Sequence, residues 1–281
     1  MQEMIEPFKI LGRNSNRLVK FFKEYEKLLE KPVENAYLLG KKLIEIEGLI
    51  KKFPDMDLKN RLITWLEHEE KRLEEHKEDF RIKFAQELNA LFSREGKKLR
   101  GQYPLVRIGF YTVKIDFQFG EAVLFFGPEI EKIKSGIPLQ PESIFKTIQG
   151  FDRELRNVKS TPDQIFKDLY KAYRRMLKLV DKPFGERLLI TRVLSEYVII
   201  KQSEKFFVDP RKNNFKEYPR VKLSFILYLL KKSGLLERGL RFHVATFDAT
   251  VDKKHSFWIL ESEDGEGTHY SYLSFDKEME V

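Results

Sequence analysis

The stretch that most constrains the fold runs from Gly96 to Pro128. Between residues 111 and 119 apolar and polar side chains alternate strictly. A period of two is the pattern of a strand that buries one face and exposes the other. Gly120-Glu121 suits a tight turn, and residues 122–126 form a second, more apolar run that ends at a Gly-Pro pair. The stretch therefore predicts an antiparallel hairpin.

The chain before this stretch is predicted to be helical. Residues 14–52 and 57–94 form two charged tracts in which apolar residues recur every three or four positions. Phe53-Pro54-Asp55 separates the tracts because a proline cannot continue a helix. Pro32 divides the first tract into two shorter helices, and Glu69 stands where the apolar seam of the second tract would want an apolar group. The narrow stripes predict an antiparallel, coiled-coil-like helical hairpin.

The chain after the hairpin is predicted to mix helices with strands. Thr161 can cap a helix that starts at Pro162 and runs to about Leu179, since proline suits the first helical position. Periodicity cannot decide between helix and buried strand for residues 221–233. The remaining segments are a helix start at Pro141, a helix over 185–201, a loop over 206–219 and a meander of strands over 241–247, 255–260 and 268–275 that joins the first hairpin. The fold class is therefore α+β, with a helical hairpin region over residues 1–95 and, over 96–281, a mixed domain of helices packed on a largely antiparallel sheet.

Composition excludes several classes of site. The 281 residues contain no cysteine, which excludes disulfides, thiolate metal ligands and a cysteine nucleophile. No apolar run approaches the roughly 20 residues of a membrane span, and no Gly-rich phosphate loop, GxSxG or dinucleotide fingerprint is present. We expect a cytoplasmic protein without a membrane partner and without a cofactor.

The charge is distributed unevenly along the chain. The net charge is +8, and residues 211–238 carry eight Lys or Arg against two acids, whereas residues 261–281 carry seven acids against one Lys. A basic body favours a polyanionic partner such as nucleic acid. A solvated charged surface would explain the same composition.

Basic residues interleaved with aromatic ones are the candidate nucleic-acid contacts. Lysine and arginine can hold phosphates while an aromatic ring stacks on a base. The candidates fall in a linker over residues 93–103, at the end of the helix before residue 180, and in the loop over 206–219. They are Lys97, Lys98, Arg100, Arg174, Arg175, Lys178, Arg211, Lys212, Tyr218 and Arg220.

A metal-dependent nuclease is the second function that the residues allow. Such enzymes hold a metal with carboxylates on neighbouring strands and neutralise the phosphate with a nearby lysine. The residues that could imitate this arrangement are Asp116, Lys114, Asp248, Asp252 and Lys254. This alternative alone would require Mg²⁺ or Mn²⁺. His243, His255 and His269 lie on three successive predicted strands and are candidate metal ligands, although independent solvent-facing positions explain them equally simply.

The sequence thus favours a non-catalytic, nucleic-acid-associated subunit of an intracellular complex for DNA maintenance or defence. The alternatives are the nuclease and a coiled-coil protein-interaction scaffold, in which the N-terminal helices bind a protein partner or a second copy.

Overall fold

The computed structural model of the chain describes residues 2–54 and 57–279 and divides into two compact units. The first unit comprises Met1–Gly96, Asp116–Ala122 and Pro138–Phe145, and the second comprises the remainder. The first unit therefore contains the predicted helical region together with two short later segments.

Beyond residue 96 the chain forms five strands and then a mixture of helices and strands. The helices are α1 (Gln2–Leu28), α2 (Ala36–Ile50), α3 (Asp57–Ser93), α4 (Pro141–Arg156), α5 (Pro162–Leu179), α6 (Ile190–Ile200), α7 (Glu204–Val208), α8 (Arg220–Lys232) and α9 (Phe247–Thr250). The strands are β1 (Leu99–Gln102), β2 (Leu105–Ile108), β3 (Tyr111–Asp116), β4 (Glu121–Phe126), β5 (Glu131–Pro138), β6 (Leu188–Leu189), β7 (Leu240–Val244), β8 (Phe257–Leu260) and β9 (Gly267–Phe275). The α+β class is confirmed. Among the described helices, none combines the length and the apolar character that a membrane crossing requires.

The first unit is built on three helices. The two predicted breaks are present, because Pro32 lies between α1 and α2 and Pro54 lies between α2 and α3, while Asp55 falls outside the described residues. Near the start of α2, the ring of Tyr37 contacts that of Phe80. Gly40 lies one turn later on α2 and is next to Leu73, which comes two turns before Phe80 on α3. Helices α2 and α3 therefore run antiparallel. The predicted hairpin is thus accompanied by a third helix, α1, that packs along α2.

Glu69 occupies an apolar seam position of α3, and its carboxylate is hydrogen-bonded there. The side chain is buried, and its carboxylate accepts a hydrogen bond of 2.8 Å from the hydroxyl of Tyr25 on α1. Burial, reinforced by this carboxylate, raises the pKa of the Tyr25 hydroxyl. A buried carboxylate is tolerated only when such partners replace water, and the outward side of Glu69 is paired with Arg72 at 3.0 Å.

A five-stranded antiparallel sheet, ordered β1-β2-β3-β4-β5, contains the predicted hairpin as β3 and β4. The apolar face of β3 is buried as the alternation requires. Thr112 on the opposite face is also buried, and its hydroxyl donates to the carbonyl of Gly127 at 2.7 Å. The prediction of a simple linker over residues 93–103 was wrong in part, because Leu99–Gln102 pairs with β2.

The last three predicted strands form, but the prediction of a meander that extends the first sheet was wrong. They build a second sheet, ordered β6-β9-β7, in which β8 also pairs with β9. Strand β9 is long enough for two partners along one edge, with β8 opposite its first residues and β6 opposite Tyr272 and Leu273. β7 takes the other edge. Long-range pairing of this kind leaves no signal in local periodicity.

Helices α5, α6 and α8 cover the second sheet. Thr161 caps α5 as predicted, accepting a hydrogen bond from the N–H of Gln164 at 3.3 Å. Residues 220–232 are helical, and most of α8 is buried on both sides. The core of this sheet and its three helices is continuous, and its largest fully buried members include Tyr173, Tyr197, Phe166 and Phe275.

Candidate functional site

Most of the predicted phosphate ligands are already paired with carboxylates. The pairs are Lys97 with Asp152 (3.4 Å), Arg100 with Asp264 (2.8 Å), Arg174 with Glu278 (2.9 Å), Arg175 with Glu196 (3.2 Å), Arg211 with Asp209 (2.6 Å) and Arg220 with Glu131 (2.9 Å). Lys98, Lys178 and Lys212 are exposed and form no ion pair within the described residues. A paired cation contributes less positive potential at the surface than a free one.

Arg220, the first residue of α8, serves as an internal clamp. Its Nε donates to Glu131, its Nη1 donates to the carbonyl of Lys253 at 3.2 Å, and its Nη2 donates to the carbonyl of Ser256 at 2.9 Å. The guanidinium also lies over the ring of Phe257, 4.5 Å from its centroid. Its donor directions are thus used within the protein, so Arg220 positions the turn before β8 against the start of α8.

A second clamp fixes the chain just before α8. The side chain of Gln202 is buried; its Oε1 accepts a hydrogen bond from the N–H of Lys216 at 2.7 Å and its Nε2 donates to the carbonyl of Lys216 at 3.1 Å. Two residues later, Tyr218 packs edge-on against Tyr197 of α6. The position of Tyr218 is therefore set by packing and by a buried amide.

Lysines surround the ring of Tyr218. The Nζ of Lys216 lies 5.3 Å from the ring centroid and that of Lys222 lies 5.5 Å from it. Both contacts are of cation–π length, and neither lysine forms an ion pair with a carboxylate in the part of the chain that the structure describes.

The turn before β8 brings two more lysines to the start of α8. The hydroxyl of Thr191, at the start of α6, donates to the carbonyl of Lys254 at 2.8 Å, and Arg220 holds the carbonyl of Lys253. Lys253 pairs with Glu131 at 2.7 Å, whereas Lys254 is exposed and forms no ion pair within the described ranges. Contacts through two backbone carbonyls thus place both lysines beside the N-terminal ends of α6 and α8.

Between α6 and α8 lies a cleft of about 440 Å³ whose walls include the rings of Phe215, Tyr218 and Phe257 and the side chain of Arg220. Helix α8 begins here after Pro219, which supplies no side-chain cap, so its first N–H groups and its dipole add positive potential. We use the name cationic cleft for this place together with the cations around it: Tyr218 and Arg220 line the cleft itself, and Lys216, Lys222, Lys253 and Lys254 lie next to these two residues in the chain or through the contacts above.

The acids near the cationic cleft include Glu196, which lines it and pairs with Arg175, and the exposed Glu217 between Lys216 and Tyr218. Glu131 bridges Arg220 and Lys253. The pKa of Asp252 lies below its usual range, because the N–H of Lys254 and then the side chain of His255 stabilise its carboxylate. Burial, followed by the positive charge of Arg220, lowers the pKa of His269.

The nuclease candidates have local structural roles. The Oδ1 of Asp116 accepts hydrogen bonds from the N–H groups of Gln118 and Phe119, at 2.9 and 3.0 Å, and so closes the β3–β4 turn. Lys114 lies 3.4 Å from Glu129. Asp116 belongs to the first unit, whereas Asp248, Asp252 and Lys254 belong to the second.

The candidate histidines have separate surroundings. The Nε2 of His243 is 2.9 Å from the hydroxyl of Ser274, and the Nδ1 of His255 is 2.8 Å from Asp252. The buried Nδ1 of His269 has no hydrogen-bond partner among the described residues. Within residues 2–54 and 57–279, no group of three or more His, Asp or Glu side chains is placed to hold a metal ion.

Helices α5, α6 and α8 and strands β6, β7 and β9 build the unit that carries the cationic cleft, with β9 between β6 and β7. Residues 201–219 connect α6 to α8 and include α7, and α9 and β8 lie between β7 and β9.

The outer face of α8 is covered by residues from other elements of the second unit. Phe225 packs against the ring of Phe110, the hydroxyl of Ser224 accepts a hydrogen bond from the N–H of Leu260 at 3.0 Å, and the hydroxyl of Tyr228 donates to Glu263 at 2.7 Å. What remains accessible in this arrangement is the first turn of α8 with the cationic cleft around it.

Sequence reasoning found part of the cationic cleft and missed the rest. Tyr218 and Arg220 were among the predicted contacts, and Lys254 was predicted only as a nuclease residue. Lys222 and Lys253 were not among the candidates. The signal for Lys222 was present, since the interleaving of basic and aromatic residues continues two positions beyond Arg220. Comparison of the chain with protein-family models, with curated proteins and with solved structures found no match.

Proposed function

We propose that this chain is a non-catalytic nucleic-acid-binding protein that holds phosphates at the cationic cleft and acts as a subunit of an intracellular DNA-maintenance or defence complex. The observation that carries the proposal is the placement of Lys216 and Lys222, neither paired with a described carboxylate, around the ring of Tyr218 just before α8, with Lys254 held at the start of α6 through its carbonyl. Cations beside a partly exposed aromatic ring suit a phosphate backbone with adjacent bases.

The other predicted cations contribute less to this proposal. Arg174 and Arg175 form ion pairs with carboxylates, so a phosphate site at the end of α5 would depend on Lys178 and its lysine neighbours. The cationic cleft instead gathers residues from two separate segments of the chain, 216–222 and 253–254.

Neutralising the cationic cleft is expected to weaken binding by reducing the number of phosphate contacts. In a K216Q/K222Q/K254Q variant, the slope of log affinity against log salt should fall in magnitude by about 1 for each lysine removed. The measurement is fluorescence anisotropy with labelled DNA and RNA, single- and double-stranded, across a salt series.

The matched control removes three exposed lysines near the end of α5, in a K171Q/K178Q/K182Q variant, with the same change in net charge. We expect its slope and affinity to equal those of the native chain. A loss of affinity confined to the control, or an equal loss of affinity in both variants, would show that the phosphates do not bind at the cationic cleft.

The second candidate is a scaffold role for the N-terminal helices, favoured by apolar side chains exposed on them. Ile44 of α2 is 69% exposed and Ile82 of α3 is 60% exposed. Ile44 also borders a groove of about 670 Å³ between these two helices. Exposed apolar groups on charged helices suit a helical partner or a second copy.

If a second copy docks at this groove, the native chain should sediment as a concentration-dependent dimer and an I44E variant as a monomer. The variant should bind nucleic acid as the native chain does at equal salt. Sedimentation velocity over a hundredfold concentration range provides the measurement, and a native chain that stays monomeric throughout rules out the second copy.

A further inference from the structure

Helix α9 carries an apolar tip that the phosphate contacts do not explain. Phe247 is 85% exposed, Val251 one turn later is 80% exposed and Val244 at the end of β7 is 65% exposed. Single exposed apolar residues are ordinary on protein surfaces, but three on one short projection mark an interaction site.

The tip is held in place by the fold. A register shift after His243 re-aims the end of β7. The N–H of Ala245 then donates to the carbonyl of His269 at 2.8 Å, and the hydroxyl of Thr250 donates to the carbonyl of Phe247 at 2.6 Å. The apolar side chains are therefore presented on an ordered backbone.

The tip continues directly into the cationic cleft. Val251 precedes Lys253 and Lys254 by two and three residues, a distance of at most about 7 to 11 Å along the chain. Because Arg220 and Thr191 fix the carbonyls of those lysines, the apolar tip and the lysines keep a constant separation. Phosphates along one strand of duplex DNA recur every 3.4 Å of helix axis, so a few base pairs span this separation.

We propose that α9 is a wedge that inserts Phe247, supported by Val251 and Val244, between base pairs of duplex DNA from the minor groove, while the lysines hold the flanking phosphates. This inference rests on the proposed function and adds that the tip contacts the base pairs of the DNA. One phenylalanine with two valines suits a wedge, since minor-groove proteins insert such apolar groups between base steps. A platform for single strands would instead require a series of aromatic rings.

The charges around the tip are mixed. Asp248 lies on α9 itself, and Lys253 and Lys254 follow it by five and six residues. A purely apolar protein partner would have no use for the adjacent lysines, whereas DNA uses both surfaces at once.

The test uses the full chain and a DNA duplex with 2-aminopurine at a central pyrimidine–purine step. We expect the fluorescence of the base to rise on binding, because insertion unstacks it. In an F247A/V251A variant the rise should disappear and the affinity should fall about tenfold, with an unchanged salt slope. The matched control is F207A/V208A, which truncates another exposed Phe-Val pair, on α7, and should respond like the native chain.

The outcomes separate the two proposals. Salt-dependent binding without a 2-aminopurine response, or a response that survives in F247A/V251A, overturns the wedge and leaves the cationic cleft standing. Absence of binding at every salt concentration overturns both. Co-sedimentation of the chain with anionic phosphatidylserine vesicles that depends on Phe247, without a 2-aminopurine response, assigns the tip to a lipid surface and likewise overturns the wedge.

Discussion

A Lys201→Met variant should lose about 3 to 5 kcal/mol of unfolding free energy. Lys201 ends α6, and its Nζ lies 2.8 Å from Asp168 on α5, whose side chain is 7% exposed. The substitution removes the cation and leaves the carboxylate buried, where the side-chain amide of Gln164 still donates to it at 2.8 Å. The measurement is the free energy of unfolding from urea denaturation.

Two further variants show whether the unpaired, buried charge of Asp168 causes the loss of unfolding free energy in K201M. The K201M/D168L double variant removes both charges and should recover most of the loss, because an apolar pair can replace a buried ion pair. Lys167→Met breaks an exposed pair with Asp163 on the same helix and should cost less than about 1 kcal/mol. If K201M costs no more than this surface control, the Asp168 pair does not stabilise the α5–α6 packing.

A Gly267→Ala variant should be destabilised by about 3 kcal/mol, because the added methyl group has no space. A Cβ at this position would lie 2.3 Å from the carbonyl oxygen of Ile259 and 2.5 Å from the ring of Trp258. The carbonyl belongs to the paired strand β8, so it cannot move without breaking the sheet. Thermal and urea unfolding would measure the loss.

Gly150 provides the control for this substitution. It lies within α4 and a Cβ there meets no atom within 4 Å, so Gly150→Ala should stabilise the protein by up to about 1 kcal/mol, as alanine favours helices. Equal stability of the two variants would contradict the close approach of β8 and β9 at Gly267.

Local sequence patterns were sufficient to predict the elements that are determined by interactions between neighbouring residues. The alternation over residues 111–119 predicts β3 because burial follows the period of the strand. Thr161-Pro162 predicts the start of α5 because capping and the fixed proline backbone act within one turn. Residues 221–233 stayed ambiguous for a physical reason: α8 is buried on both sides, so its apolar residues show no helical face.

The arrangement of strands and the site depend on contacts that are distant in sequence. β9 pairs with strands that begin at residues 188, 240 and 257, and no periodicity encodes that choice. Arg220 was predicted to bind phosphate because it is basic and close to Tyr218. In the structure its donors hold residues 33 and 36 positions away, so Arg220 positions the turn that carries Lys253 and Lys254.

Mass-spectrometric mapping of the lysines that cross-link to DNA, by reductive amination at abasic sites, identifies directly which cations contact the phosphate backbone. We expect adducts on Lys216, Lys222 and Lys254, lost at high salt, with Lys171, Lys178 and Lys182 unmodified. Adducts confined to the end of α5, or spread evenly over the exposed lysines, would contradict the binding of phosphates at the cationic cleft.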